Sequence, residues 1–275
     1  MFESQYYCLV AGLKELTLES DNKRLEPKSI IQEVMDEVSA ADAAVVRLLY
    51  TYYDCENIAS AHSGRERCNP LGNLNREEIE AELQEPVNLP EGIARVIKAF
   101  TSSKGDKIED SGAVSFERAL FEAYYQECES SSSTFLKMWS QTDRNLRNIA
   151  AAITARLSDI PIDSVVVGEG SVADSLRRSS AADFGLRGEL PYIDSVIAAI
   201  NDEPNIVEKE HKIDNIRWSE VDSSSTFDYF NINAVMAYLV KLNIVARWAE
   251  LDPAKGRAML NKLMAELSAK EKLNK

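Results

Sequence analysis

The stretch DSVVVGEGSVADSL, residues 163–176, has the glycine spacing of a dinucleotide-binding turn. Three valines lead into Gly168-x-Gly170-x-x-Ala173, and in nucleotide-binding proteins such glycines bring a pyrophosphate close to a helix N-terminus. That chemistry needs a strand before the glycines and a second strand that ends in an acid about 20 residues later. Here a long predicted helix precedes the stretch, and no alternation of strands and helices follows it. The context favours a connection between helices, with nucleotide binding as the alternative.

Side chains that bind metals or act as nucleophiles are few and scattered. The two histidines, His62 and His211, stand in no HExxH pattern. Cys55, His62 and Cys68 are close in sequence, but their spacing matches no zinc knuckle. The sequence contains neither a GxxxxGK[ST] nor a GxSxG motif. It therefore predicts no catalytic residue, no cofactor and no metal, and it favours an interaction protein over an enzyme.

The composition is that of a globular chain with an acidic surface. Of 275 residues, 45% are hydrophobic and 28% are charged, and the net charge is −14. Nucleic acid is a poor match as a partner, because phosphate binding relies on clustered lysine and arginine. The sequence has no apolar run near the roughly 20 residues that span a bilayer, and no basic segment of a signal peptide at its start. Four scattered cysteines without a CxxC pair suit reduced thiols, and we expect a cytoplasmic protein.

Helical periodicity dominates the chain, most clearly over residues 130–157. Apolar side chains recur there at spacings of three and four, and the serines at 130–133 offer N-cap oxygens. The opposite face carries Asp143 and Arg147 at i,i+4, a pair that we expect to support an exposed helix by a few tenths of a kcal/mol.

Further helices are predicted along the rest of the chain. Two are long, over residues 39–61 and over residues 226–250 with caps at 223–225, and a final helix starts from Asp252. Shorter ones are predicted over residues 27–38, 75–84, 90–100, 114–127, 191–201 and 203–220, and loops over 63–73 and 101–112. Strand character is confined to residues 6–10 and 165–167. The sequence thus predicts an all-α fold, with residues 6–10 as the candidate for a short N-terminal strand.

Three long helices share an asparagine that is followed by isoleucine or leucine. Because asparagine is unfavourable inside a helix, its position beside the apolar stripe suggests a hydrogen-bond partner for the amide. Either these short patterns are coincidences, or they mark a diverged internal repeat of helical units. We expect the polar residues of the pattern to serve packing rather than catalysis. They are Asp54, Asn57, Asp143, Asn145, Arg147, Asn148, Asn243 and Arg247.

The D-x-x-N-[IL] helix, repeated in an all-helical chain, resembles the C subunit of V-type and A-type ATPases, called d in eukaryotes. Asp54 to Ile58 fits the pattern directly, the helix of Asp143 has its acid displaced by one position, and Asn243 keeps only the amide. The stretches SQYYCLVAGLKEL, NLRNIAAAITAR, SAADFGL and FDYFNINAVMAYLVKLNIVARW are similar to a bacterial family that is encoded beside V-type ATPase genes and is thought to supply their C-like subunit.

This resemblance implies a mechanical role. It implies a funnel-like array of helical sub-bundles in one domain, residues 1–275, with sub-bundles at 1–105, 106–188 and 189–275. Such a subunit sits at the inner face of the plasma membrane, on the rotor ring, receives the central stalk, and transmits torque between ATP chemistry and ion transport without catalysing either. The implied partners are the central-stalk subunits and the membrane rotor ring. The alternative is a soluble helical adaptor unrelated to a rotor.

Overall fold

The computed structural model describes residues 5–18, 25–102, 115–202 and 204–251, together with positions 257, 261 and 264. Over these residues the fold is all-α, as predicted, and contains no strand. The helices are α1 (Tyr7–Gly12), α2 (Pro27–Glu37), α3 (Ala40–His62), α4 (Arg76–Gln84), α5 (Glu91–Ser102), α6 (Phe116–Ser130), α7 (Thr134–Leu157), α8 (Ser171–Arg178), α9 (Ile193–Asn201), α10 (Ile206–Ser225) and α11 (Ile232–Ala249), with a 3-10 turn at Ile162–Ser164 before α8.

Most of these helices begin where a side-chain oxygen can cap them. The hydroxyl of Ser39 accepts a hydrogen bond from the Asp42 amide at the start of α3, and Ser133 does the same at α7. At α4, Asn75 and Glu78 cap each other's backbone amides in a reciprocal capping box. The predicted boundaries of α2, α3, α4 and α7 are therefore confirmed to within a few residues.

Two hydrophobic cores divide the interior, and α7 contributes to both. The larger core is built mainly by α3, α5, α6 and α11. The smaller core is built by the second half of α7, by α8 and α9, and by the segment between α8 and α9. Phe135 of α7 is buried in the larger core and Ile149 in the smaller one. α10 contributes to both cores as well, through Val221 in the larger one and Ile213 in the smaller one, so two helices fix the cores relative to each other.

Neither stretch of strand character forms a strand, so the candidate N-terminal strand over residues 6–10 is wrong. Residues 6–10 lie largely in α1, where Leu9 is buried against the larger core. Residues 165–167 follow the 3-10 turn, and Val165 has helical backbone angles. A strand needs a neighbour for its backbone groups, and the described part of the chain offers none; at Val167 the Asn148 side chain supplies both hydrogen bonds instead.

The predicted helix over residues 226–250 starts too early. The serines at 223–225 end α10 rather than cap the next helix, and the hydroxyls of Ser224 and Ser225 donate to the Val221 carbonyl. The chain then turns through residues 226–231, and α11 begins at Ile232, where Asn231 accepts a hydrogen bond from the Ala234 amide. The helix predicted over residues 203–220 is correspondingly longer at its C-terminal end.

Some predictions fall where the structure does not describe the chain. The final helix from Asp252 and most of the loop over residues 101–112 lie outside the described residues. The division into three sub-bundles stays a prediction. Among the described helices, none combines the length and the apolar character needed to cross a bilayer.

Candidate functional site: a charged cleft shared by three helices

Asn57 of α3 holds the loop that follows its own helix. Its amide nitrogen donates to the Asn69 carbonyl at 3.0 Å, and its amide oxygen accepts from the Asn69 backbone N–H. One turn earlier, Asp54 accepts from the Leu74 amide at 3.0 Å and from the Asn73 side chain at 2.7 Å. Gly72 lies so close that a Cβ there would be 2.8 Å from the Asp54 carboxylate. We call Asp54 and Asn57 the first clamp.

Asn148 of α7 forms the same arrangement with the loop that follows α7. Its amide nitrogen donates to the Val167 carbonyl at 2.8 Å, and its oxygen accepts from the Val167 N–H at 2.9 Å. One turn earlier stands Asn145, which hydrogen-bonds the Tyr192 hydroxyl. We call Asn145 and Asn148 the second clamp. Each clamp satisfies both backbone groups of one loop residue, so the sequence pattern corresponds to a repeated local structure at these two helices.

Asn243 of α11 uses its amide differently. Its oxygen accepts a hydrogen bond from the Tyr50 hydroxyl of α3 at 3.0 Å, in the interior of the protein. The asparagine of the third patterned helix therefore links two of the patterned helices directly. Most of the chain that follows α11 lies outside the described residues.

Asp143 and Arg147 belong to a chain of alternating charges, not to an exposed helix face as predicted. Asp143 is 6% exposed and accepts from Arg147 at 2.7 Å and from the Tyr125 hydroxyl at 3.2 Å. The expectation fails because α6 and α10 pack over this face of α7. From Asp143 the chain of charges continues into α10, where the Arg217 guanidinium lies 3.4 Å from the second carboxylate oxygen.

Asp214 carries the chain of charges onward from α10 to α11. It is 1% exposed and accepts from Arg217 at 2.8 Å, from the Trp248 indole at 2.7 Å, and from Arg247. Arg247 also donates to Glu210 at 2.9 Å. We call this series the ion chain; its members, in spatial order, are Arg147, Asp143, Arg217, Asp214, Arg247 and Glu210.

The pKa shifts separate the two buried acids of the patterned helices. Burial raises the pKa of Asp54 from 3.8 to about 6, although the hydrogen bonds from Leu74 and Asn73 oppose this rise. Burial acts in the same direction on Asp143, but there the charges of Arg147 and Arg217 outweigh it and lower the pKa. Asp143 is therefore ionised at neutral pH, and it forms a true ion pair.

The ion chain lines an open cleft of about 540 Å³. Each patterned helix contributes to its wall: Tyr52, Tyr53 and Glu56 come from α3, Asp143 and Arg147 from α7, and Asn243 and Arg247 from α11. The Arg147 guanidinium lies over the Tyr52 ring at 4.6 Å.

The charged side chains of the cleft wall, among the residues that the structure describes, are balanced. The basic ones are Arg67, Arg147, Lys209, Arg217 and Arg247, and the acidic ones are Glu56, Asp143, Glu210, Asp214 and Glu250. This balance contrasts with the net charge of −14 for the whole chain. The buried acids are already engaged by arginines, so the wall suits recognition of a mixed polar and apolar surface more than proton transfer.

Sequence reasoning missed three residues that build this site: Tyr125, Asp214 and Arg217. A signal existed for two of them, because Asp214 and Arg217 stand at i,i+3 and Asp214 directly follows the buried Ile213. The sequence alone does not indicate that this pair lies beside Asp143. That contact joins α7 to α10, and Asp143 and Arg217 are 74 residues apart along the chain.

The glycine stretch at residues 163–176 completes the connection between α7 and α8 and enters α8 at Ser171. Gly168 and Gly170 have φ of 79° and 117°, angles that favour glycine. Arg177 donates to the Gly168 carbonyl at 2.8 Å, and no strand precedes the turn in the described chain. Among all the residues that the structure describes, no group of three histidine, cysteine or acidic side chains is placed to hold a metal.

Comparison with known proteins yields a family assignment. A search of curated proteins gives no match. A family described as a protein of unknown function, DUF2764, matches residues 3–270, which is almost the whole sequence. The chain that forms this clamped, cleft-bearing helical fold therefore belongs to the DUF2764 family.

Proposed function

We propose that the chain is a non-catalytic coupling subunit of a bacterial V-type ATPase or ATP synthase, similar to the C subunit. In this role it joins the central stalk to the membrane rotor ring and transmits torque. The observation that carries the proposal is the convergence of α3, α7 and α11, the three helices of the C-subunit-like pattern, on one open cleft. The cleft is also lined by α6 and α10, which lack the pattern, so the patterned helices form part of a larger wall.

The construction of the cleft suits a mechanical joint. The ion chain connects α7, α10 and α11, and the two clamps fix the loops that follow α3 and α7. Buried charge pairs and satisfied amides hold helices in one arrangement, because shifting them would leave polar groups unpaired. A rigid wall with both signs of charge fits a protein partner such as a stalk helix.

The proposal is tested by titrating the purified chain against the purified central-stalk subunits. Wild-type protein should bind saturably. The double variant Arg67→Glu/Lys209→Glu reverses two charges of the cleft wall outside the ion chain and should bind at least about tenfold more weakly. The matched control Arg95→Glu/Lys98→Glu makes the same charge change on exposed positions of α5, away from the cleft wall, and should bind like wild type.

Two results would contradict the proposal. One is an absence of wild-type binding at tens of micromolar, an affinity weaker than roughly −6 to −7 kcal/mol. The other is equal weakening by both double variants, which would indicate a general charge effect. Either result would favour a helical adaptor that is unrelated to a rotor.

A further inference from the structure

The turn between α10 and α11 exposes a group of aromatic side chains. Phe227 is 87% exposed, Tyr229 67% and Phe230 37%. Tyr7 of α1, itself 58% exposed, packs on Phe230 with ring centroids 4.7 Å apart. We call these four residues the aromatic tip. Scattered exposed apolar residues are ordinary, but four neighbouring aromatic rings mark an interaction surface.

The aromatic tip is held in place by hydrogen bonds. The Tyr6 N–H donates to the Phe230 carbonyl, which ties α1 to the turn. Asp228 accepts from the side chains of Asn231 and Asn233, at 2.6 Å and 3.3 Å. The Thr226 hydroxyl donates to the Asp222 carbonyl at 2.8 Å. A surface ordered in this way loses little conformational entropy when it binds.

The tip and the cleft lie at opposite ends of the pair of helices α10 and α11. On α10 the cleft wall ends at Arg217, eight residues before the helix ends at Ser225, or about 12 Å along a helix at 1.5 Å per residue. On α11 the cleft wall begins at Val240, a similar distance beyond the turn. This helix pair therefore carries two separate surfaces.

The charge around the tip is mainly negative. Residues 218–240 contain no lysine, arginine or histidine and carry three acids, Glu220, Asp222 and Asp228. One base reaches this region, because Lys241 of α11 pairs with Asp222. On the adjoining α1 side, the Tyr6 hydroxyl donates to a further acid, Asp42. Aromatic faces in acidic surroundings bind lysine and arginine well, through cation–π contacts and ion pairs. The same acids oppose binding to an anionic lipid surface.

We propose that the aromatic tip docks on the lysine- and arginine-bearing cytoplasmic loops of the membrane rotor ring. The assignment to the ring rests on the proposed function, in which the ring is the partner other than the stalk. Cytoplasmic loops of membrane proteins carry an excess of lysine and arginine, which complements the net acidic surroundings of the tip. Exposed aromatic rings supply the apolar area of such an interface.

The test measures binding of the full chain to the purified rotor ring in nanodiscs of neutral lipid, with empty nanodiscs as the blank. The tip variant is Phe227→Ser/Tyr229→Ser. The control variant, Val87→Ser/Leu157→Ser, removes two equally exposed apolar side chains elsewhere, at 73% and 72% exposure. We expect wild type and control to bind alike, the tip variant to bind at least about tenfold more weakly, and salt to weaken binding. All three proteins should keep the same thermal unfolding midpoint.

Each contrary outcome identifies a different failure. If the tip variant bound the ring as tightly as wild type does, or if wild type did not bind the ring, the assignment of the tip to the ring would be overturned. If wild type bound empty nanodiscs as tightly as ring-containing ones, the tip would be a lipid-binding surface. If wild type self-associated and the tip variant did not, the tip would bind a second copy of the chain. Either result would overturn the proposal. The stalk titration reports separately on the proposed function, because the stalk is assigned to the cleft at the other end.

Discussion

The α3 region and the α7 region hold the loop that follows each helix with the same asparagine amide, but they place their acids differently. In both, an asparagine satisfies the N–H and the carbonyl of one residue in the following loop, Asn69 for Asn57 and Val167 for Asn148. In α3 the acid stands one turn earlier within the clamp, as Asp54. In α7 that position is Asn145, and the acid, Asp143, stands two residues before it in the ion chain.

This difference shows that the asparagine amide is the structural element that both regions share, whereas the carboxylate has a different role in each region. Asp54 has amide groups as partners, so burial dominates and its pKa rises to about 6. Asp143 has two guanidinium partners, so its pKa falls. Three predictions test this comparison, from the largest expected effect to the smallest.

The largest effect is expected from Asp143→Asn. Removing this carboxylate takes away the acid that Arg147 pairs with and one of the two acids beside the largely buried Arg217, which keeps Asp214. Breaking a buried pair on one side costs about 3–5 kcal/mol, and we expect the lower end because Arg147 is half-exposed. Urea unfolding followed by circular dichroism measures this loss.

The matched control for that variant is Asp194→Asn. Asp194 pairs with Arg187 at 2.8 Å on the surface, where water and salt screen such pairs and they contribute little to stability. If the two variants lost the same stability, the ion chain would be no more than a set of surface pairs.

The second effect concerns pH and has opposite signs at the two acids. Between pH 6 and pH 4, folded protein takes up a proton on Asp54 before unfolded protein does, since the folded pKa of about 6 lies above 3.8. The Asp54 contribution to stability therefore rises as pH falls through this window, by up to about 3 kcal/mol at 1.4 kcal/mol per pKa unit. Asp143 has the opposite effect. Its pKa is lowered in the folded protein, so its contribution to stability is lost only as the pH falls below 3.8, its pKa in the unfolded protein.

The measurement is the difference in unfolding free energy between wild type and Asp54→Asn, taken at several pH values from 7 to 4. The difference should change by the stated amount in favour of wild type as pH falls. A difference that stays constant across the window would show that Asp54 ionises normally in the folded protein.

The smallest of the three effects is expected from Asn57→Leu and Asn148→Leu. Each change strands a backbone N–H and a carbonyl of the clamped loop residue, at a cost of about 1–3 kcal/mol. Because the two clamps share one chemistry, the two losses should agree within about 1 kcal/mol in the same unfolding experiment. A neutral result at either asparagine would mean that the two loops are not held in the same way.

Local features of this fold could be predicted from the sequence. Periodicity and caps located α3 and α7, and the asparagines beside their apolar stripes indicated buried amides with partners. Such features depend on residues within a few turns of each other, which is the range over which spacing carries information.

Features that depend on distant contacts could not be predicted. The exposed-face interpretation of Asp143 was wrong because Arg217 approaches from another helix. The predicted start of α11 was too early because serines can cap a following helix or hydrogen-bond backward, and here Ser224 and Ser225 hydrogen-bond backward to Val221. The cleft itself exists only when α3, α6, α7, α10 and α11 meet, so no single segment encodes it.

The most direct test of the central claim is to isolate the V-type ATPase from the native cell through a tag on a catalytic-head subunit. The amount of this chain is then measured relative to the central-stalk subunits by quantitative mass spectrometry. The account predicts that the chain is present in a constant ratio to the stalk through successive purification steps. An intact complex that couples ATP hydrolysis to ion transport without this chain would contradict it.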